Sequence, residues 1–154
     1  MRATSCRSKP GSPVINETRQ RPTKPQMKIE HLAVWTPRLD SLRDFYVEHF
    51  GCSTSSKYFN PSTGFSSYFL TFPAGGARLE LMTNPGVGAA AEGKLRCGYA
   101  HLALSLGSEE RVRELTGILR LKGATVKAEP RRTGDGYYES VIADPDGNLI
   151  ELTV

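Results

Sequence analysis

The sequence predicts an α+β chain built from two tandem β-α-β-β-β modules, and three observations predict it. A short phrase, Glu30-His31-Leu32-Ala33-Val34, returns 70 positions later as Ala100-His101-Leu102-Ala103-Leu104. Each copy is followed about 50 positions on by a second phrase, Leu79-Glu80-Leu81 in the first half and Ile150-Glu151-Leu152 in the second. Between the phrases the hydrophobic period changes from that of a strand to that of a helix and back, once per half. A repeat of about 70 residues is too long for a solenoid unit and points to a duplicated module.

At 154 residues the chain is long enough for one domain with a buried core. That domain is expected over 27–154, with modules at about 27–90 and 97–154. Residues 1–26 carry six basic residues against the single acid Glu17, with Ser, Pro and Thr and no apolar period. They cannot bury enough surface to offset ordering, so they read as a disordered basic tail or as translation upstream of a natural start at Met27. A transit peptide is the competing reading, which the prolines and the missing apolar face oppose. The overall charge of +4 therefore resides in the tail. The body is close to neutral and offers no basic surface for a phosphate backbone, so no nucleic-acid role is expected. No run approaches the roughly 18 apolar residues of a membrane span, and no secretory signal stands at the start. Cys6, Cys52 and Cys97 are odd in number and lack metal-type spacing, which fits a reducing, cytoplasmic compartment.

Residues 28–35 alternate as a strand, with Leu32 and Val34 on one face and Ile29, His31, Ala33 and Trp35 on the other. Over 38–50, Leu39, Leu42, Phe45, Tyr46 and Phe50 make a helical stripe that Gly51 closes. Residues 66–72 and 77–82 read as strands around the turn Pro73-Ala74-Gly75-Gly76. The Gly/Ala-rich stretch 84–96 is the expected connection between halves. A strand over 98–106 opens the second half. Ser108 is a good N-cap for a helix carrying Val112, Leu115, Ile118 and Leu119, with Glu109 and Glu110 in its first turn and Gly123 at its end. Strands are expected over 125–128, 137–143 and 149–154, the last two joined by the turn Asp144-Pro145-Asp146-Gly147-Asn148.

Apolar residues stand at odd offsets from the four polar ones, Leu32 beside His31, Leu79 and Leu81 beside Glu80, Ala100 and Leu102 beside His101, and Ile150 and Leu152 beside Glu151, and would pack under the helices. The four polar side chains then share the opposite, open face. Taken singly, a His or Glu there is an ordinary outward residue of a half-buried strand. Their recurrence in register makes them a candidate metal set, because imidazole nitrogen and carboxylate oxygen suit Zn²⁺, Ni²⁺ or Co²⁺. The third histidine, His49, falls on the first helix and reads as a surface residue.

These residues resemble the vicinal oxygen chelate superfamily, which includes glyoxalase I, methylmalonyl-CoA epimerase, extradiol dioxygenases, and fosfomycin- and bleomycin-resistance proteins. The resemblance covers about 27–154, and the closing stretch from Asp144 to Leu152 is typical of it. It implies a curved, barrel-like mixed sheet with helices outside. A fourth ligand at Glu80 is similar to bacterial glyoxalase I, where dioxygenases and fosfomycin-resistance enzymes use three protein ligands and epimerases usually place Gln. Asn84, four positions after Glu80, matches a glutathione-contacting asparagine of that family. Trp35 stands where that family carries a glutathione-binding arginine, and an indole cannot replace a bidentate guanidinium. Arg38, Arg96, Arg131 and Arg132 are the candidate substitutes.

The resemblance implies a lyase/isomerase that converts the hemithioacetal of a 2-oxoaldehyde such as methylglyoxal to a 2-hydroxyacyl thioester through a cis-enediolate. It further implies one Ni²⁺, Co²⁺ or Zn²⁺ per site, with Glu151 as base and Glu80 as its counterpart. The implied assembly is a homodimer in which His31 and Glu80 of one chain meet His101 and Glu151 of the other. Two alternatives stand beside it. One is a metal isomerase or epimerase with a non-glutathione substrate, and the other a resistance-type protein that binds a small molecule without turnover.

Overall fold

The computed structural model describes residues 27–88 and 98–154. The tail 1–26, most of the expected connection, and Arg96 and Cys97 lie outside the described residues. The first half runs β1 (His31–Trp35), α1 (Leu39–Phe50), β2 (Ser53–Thr54), β3 (Tyr58–Asn60), β4 (Phe65–Thr71) and β5 (Arg78–Thr83). The second runs β6 (Leu102–Ser105), α2 (Glu109–Leu121), β7 (Thr125–Arg132), β8 (Tyr138–Ala143) and β9 (Leu149–Thr153). The α+β class and the tandem modules are as expected. The strands form two mixed sheets, of five and four strands, and no closed barrel forms among the described residues.

Both sheets are wound alike. In the first, β1 pairs parallel with β5, which pairs antiparallel with β4. In the second, β6 pairs parallel with β9, which pairs antiparallel with β8. A parallel pair needs a long crossover, and in each module the helix lies within it. The consequence is that the first and last strands of each module, which carry the repeated phrases, are immediate neighbours.

Alternation then decides the faces. Leu79, Leu81, Ile150 and Leu152 are buried under the helices, with Leu32, Val34, Leu102 and Leu104 packed beside them. Leu39, Leu42 and Tyr46 of α1 and Val112 and Leu119 of α2 close the same apolar cluster. Gly51 ends α1 at φ 66°, a left-handed conformation that glycine adopts without Cβ strain. The Ser108 hydroxyl caps α2 by accepting the Arg111 N–H at 3.2 Å.

The stripe on α2 is rotated from the expected one. Ile118 is exposed and Thr116 is buried in its place. Thr116 is tolerated there because its hydroxyl donates to the Val112 carbonyl at 2.6 Å and meets the Ser140 hydroxyl at 2.6 Å.

The turn between β8 and β9 ties the halves together. Asp144 Oδ1 accepts the N–H groups of Asp146 and Asn148, each at 2.9 Å, and Oδ2 takes the Tyr46 hydroxyl of α1 at 3.5 Å. Burial pushes the Asp144 carboxyl up, against the hydrogen bonds it accepts. Arg38 Nε donates to Asp146 Oδ1 at 2.8 Å, and Lys122 reaches Glu48 at 2.5 Å. No helix among the described residues is long and apolar enough to cross a membrane.

Candidate metal centre

Parallel pairing of β1 with β5 sets Ala33 opposite Glu80, so His31, two residues earlier on the same face, lies beside that carboxylate. His31 Nε2 is 3.7 Å from Glu80 Oε2. The second module repeats the arrangement, with Ala103 opposite Glu151 and His101 Nε2 3.4 Å from Glu151 Oε2. His101 itself immediately precedes β6, which is shorter than the expected strand. Even the exposures match: 39% and 15% for the first imidazole and carboxylate, 41% and 18% for the second. Both gaps exceed a good N–H···O distance, so neither pair is closed by its own hydrogen bond. Among the described residues no three of His, Cys, Asp or Glu gather in one place that could hold a metal. Each half therefore presents a two-donor pair on an open sheet face, and the two pairs do not meet within the chain.

Around the first pair the structure assembles residues that sequence reasoning missed. Glu30 Oε2 lies 2.5 Å from His31 Nδ1, the ring nitrogen turned away from Glu80. Its other oxygen accepts from the Arg78 guanidinium. The bonds to His31 and then Arg78 hold the Glu30 carboxyl below its usual range. Phe69, opposite Glu80 on β4, meets the His31 ring edge-on at 5.4 Å and lies 4.2 Å under Arg78. A sequence signal for Arg78 was present, since it stands two residues before Glu80 and so shares its face. For Glu30 the signal misled: alternation over the expected strand 28–35 turns it to the Leu32 face, away from His31, whereas β1 begins only at His31.

The other sequence candidates fall as follows. Trp35 is on the open face, half-exposed, with its indole edge-on to Phe65 at 6.1 Å. Asn84 lies in the loop after β5, where its Oδ1 accepts the Gly86 N–H at 2.8 Å. Arg38 is paired with Asp146, Arg132 with Glu109, and Arg131 with Glu139 at 3.2 Å. His49 is not a simple surface residue. It is half-buried against Phe45, with ring centroids 4.8 Å apart, in a cleft it shares with Lys122 and Asp144.

The sequence matches the model of the Glyoxalase/Bleomycin resistance protein/Dioxygenase superfamily over residues 28–152. The chain belongs to this superfamily. No curated protein matches it by sequence. Among solved structures this superfamily member is similar to glyoxalase I from Zea mays, with a TM-score of 0.68 and 27% identity, over 82% of this chain and 44% of that one. It thus spans less than half the length of the maize chain. It is similar also to the trypanothione-dependent glyoxalase I of Leishmania major, with a TM-score of 0.66 and 25% identity, over 83% of this chain and 86% of that one. A glyoxalase family protein from Enterococcus faecalis shares the fold at a TM-score of 0.69 and 23% identity, over 82% and 97% of the two chains.

Proposed function

We propose that the protein is a metal-dependent, glyoxalase I-like lyase/isomerase that acts in the cytoplasm as a homodimer, with residues 27–154 as its single domain. The observation that carries this reading is the repeated imidazole–carboxylate pair, His31 with Glu80 and His101 with Glu151. Their donor set fits a borderline divalent ion, with Ni²⁺, Co²⁺ and Zn²⁺ the candidates. Because the pairs lie apart within the chain, a full set forms when His31 and Glu80 of one protomer face His101 and Glu151 of its partner. The bound ion supplies Lewis acidity toward two neighbouring substrate oxygens.

The chain's own residues supply the proton chemistry. In the hemithioacetal of a 2-oxoaldehyde, Glu151 takes the proton from the thiol-bearing carbon and returns it to the adjacent carbon. The product is the 2-hydroxyacyl thioester, an isomer of the substrate, so no proton is lost overall. Glu80 holds the counterpart position on the other face. Trp35 offers an apolar contact at the rim, and Asn84 retains its amide N–H₂ for substrate.

Trp35 also favours a second reading. It stands where the resemblance implies a glutathione-binding arginine, and Arg38, Arg131 and Arg132 each already hold a carboxylate, so a related isomerase or epimerase acting on a non-glutathione substrate fits the same four ligands. The test is metal content after loading with Ni²⁺, Co²⁺ or Zn²⁺, then isomerisation of the methylglyoxal–glutathione hemithioacetal by wild type and Glu151→Gln. About one ion per chain, with turnover lost in the variant, is the expected result. Metal without turnover selects the non-glutathione reading, and a protein that takes up no metal overturns both in favour of simple binding.

A further inference from the structure

We infer that Arg78 is an anion-binding residue of the site, and that the substrate carries a carboxylate close to its two chelating oxygens. This rests on the metal reading above. Arg78 leads β5 in register with His31 and precedes Glu80 by two residues on the same face. One such step along a strand separates their Cα atoms by roughly 7 Å, and the guanidinium lies over Phe69, the residue opposite Glu80, 4.2 Å from its ring centre. That placement suits an acid group one or two carbons beyond the chelated oxygens.

The guanidinium is held ready for this. Phe69 supports its plane from below at 4.2 Å, and Glu30 takes one Nη2 hydrogen. A guanidinium has five N–H donors in a fixed fork, so one bond to Glu30 leaves an edge for a second, bidentate carboxylate. Stacking on an aromatic face fixes the fork without using any of its donors. The side chain remains 38% exposed, and so reachable from the open face.

The rest of that face is apolar in the other direction. Trp35, Phe65 and Met82 lie at the far ends of the same strands, with Trp35 edge-on to Phe65. A ligand chelated between His31 and Glu80 would therefore meet a cation toward the start of β1 and β5 and an aromatic surface toward their ends. The second module has no arginine at the matching place, because Leu149 stands two residues before Glu151 and Ala100 precedes His101; its Arg131–Glu139 pair lies instead toward the far end of β9, beside Thr153. The anion site belongs to one half of the chelation site only, which gives the substrate a direction.

The experiment compares ligands that share one chelating head. Lactate, malate and 2-hydroxyglutarate all offer a 2-hydroxycarboxylate, and the last two add a carboxylate at increasing reach. Binding to Ni²⁺-loaded protein is measured by calorimetry for wild type, Arg78→Lys and Arg78→Met, with metal content and circular dichroism recorded for each. Wild type is expected to bind at least one of the dicarboxylates about tenfold or more tighter than lactate, the worth of a charge-assisted bidentate pair. Arg78→Met removes that preference with the metal retained. Arg78→Lys, which keeps the charge without the fork, falls between. A loaded wild-type protein that binds all three alike, or a preference that survives in Arg78→Met, overturns the inference and leaves Arg78–Glu30 a surface ion pair. A protein that takes up no metal overturns the metal reading itself and this inference with it.

Discussion

Glu30 grips His31 from behind: its Oε2 is 2.5 Å from Nδ1, while Nε2 of the same ring faces Glu80. A carboxylate on the far ring nitrogen fixes the tautomer so that Nε2 carries the free lone pair. Among the described residues no carboxylate backs His101 in this way, and Ala100 precedes it. Glu30→Gln is therefore expected to weaken Ni²⁺ binding about tenfold or more, the usual effect of losing such a partner. Competition with a chromophoric chelator measures it. An unchanged affinity would mean that the contact is only a surface hydrogen bond.

The separation of the two donor pairs within the chain makes a complementation test possible. One variant lacks His31 and Glu80 (both to Ala), and the other lacks His101 and Glu151. Neither should hold metal alone. Unfolded and refolded together in equal amounts, they should recover about a quarter of the wild-type metal, because random pairing makes half the dimers mixed and each mixed dimer rebuilds one of two sites. No recovery, with mixed dimers demonstrated by mass spectrometry, rules out a site shared across the dimer.

Much of this arrangement was legible in the chain because duplication wrote it twice. Period-two alternation put His31, Glu80 and Glu151 on the polar faces of their strands, and the glycines at 51 and 123 marked where the helices end. The short strands β2 and β3 were not legible, since the two residues Ser53-Thr54 and the three Tyr58-Phe59-Asn60 are too few to show a period. β7 runs on through Pro130 to Arg132, beyond the expected end at residue 128. It is the outer strand of its sheet, and its register slips between Ala128 and Arg131, which lets proline escape a ladder bond. The neighbours of His31 were hidden for a different reason. Glu30 reaches it from outside the strand, and Arg78 arrives by parallel pairing across 47 positions of sequence.

Thr116 and Ser140 form a buried hydroxyl pair between α2 and β8, where the sequence had suggested only aliphatic contact. Since Thr116 donates to the Val112 carbonyl, Ser140 supplies the hydrogen of the 2.6 Å contact. Thr116→Val keeps the shape but orphans the Ser140 hydroxyl, at a cost of about 1–3 kcal/mol. Ser140→Ala leaves Thr116 its carbonyl partner and should cost less. The double variant should be more stable than the sum of the singles predicts, by about 1 kcal/mol, in a urea double-mutant cycle. Strict additivity would show that the two hydroxyls do not interact.

His49 gives the molecule an acid-side dependence separate from the candidate metal ligands. Burial against Phe45 lowers its pKa below the ordinary 6.5, Glu48 opposes that shift, and Lys122 adds to it. The folded state thus binds this proton more weakly than the unfolded chain. Its share of stability is present above about pH 6.5 and is lost as pH falls through the lowered folded value, because protonation then favours unfolding. His49→Gln removes that ionisation while keeping a polar side chain. Urea midpoints between about pH 7.5 and pH 5 should fall more steeply for wild type than for the variant. Carboxylates held low, such as Asp40 with its Tyr68 hydrogen bond, act further toward acid and are common to both proteins. Parallel midpoint curves would show that the ring titrates alike in both states, and a steeper fall in the variant would reverse the assigned sign.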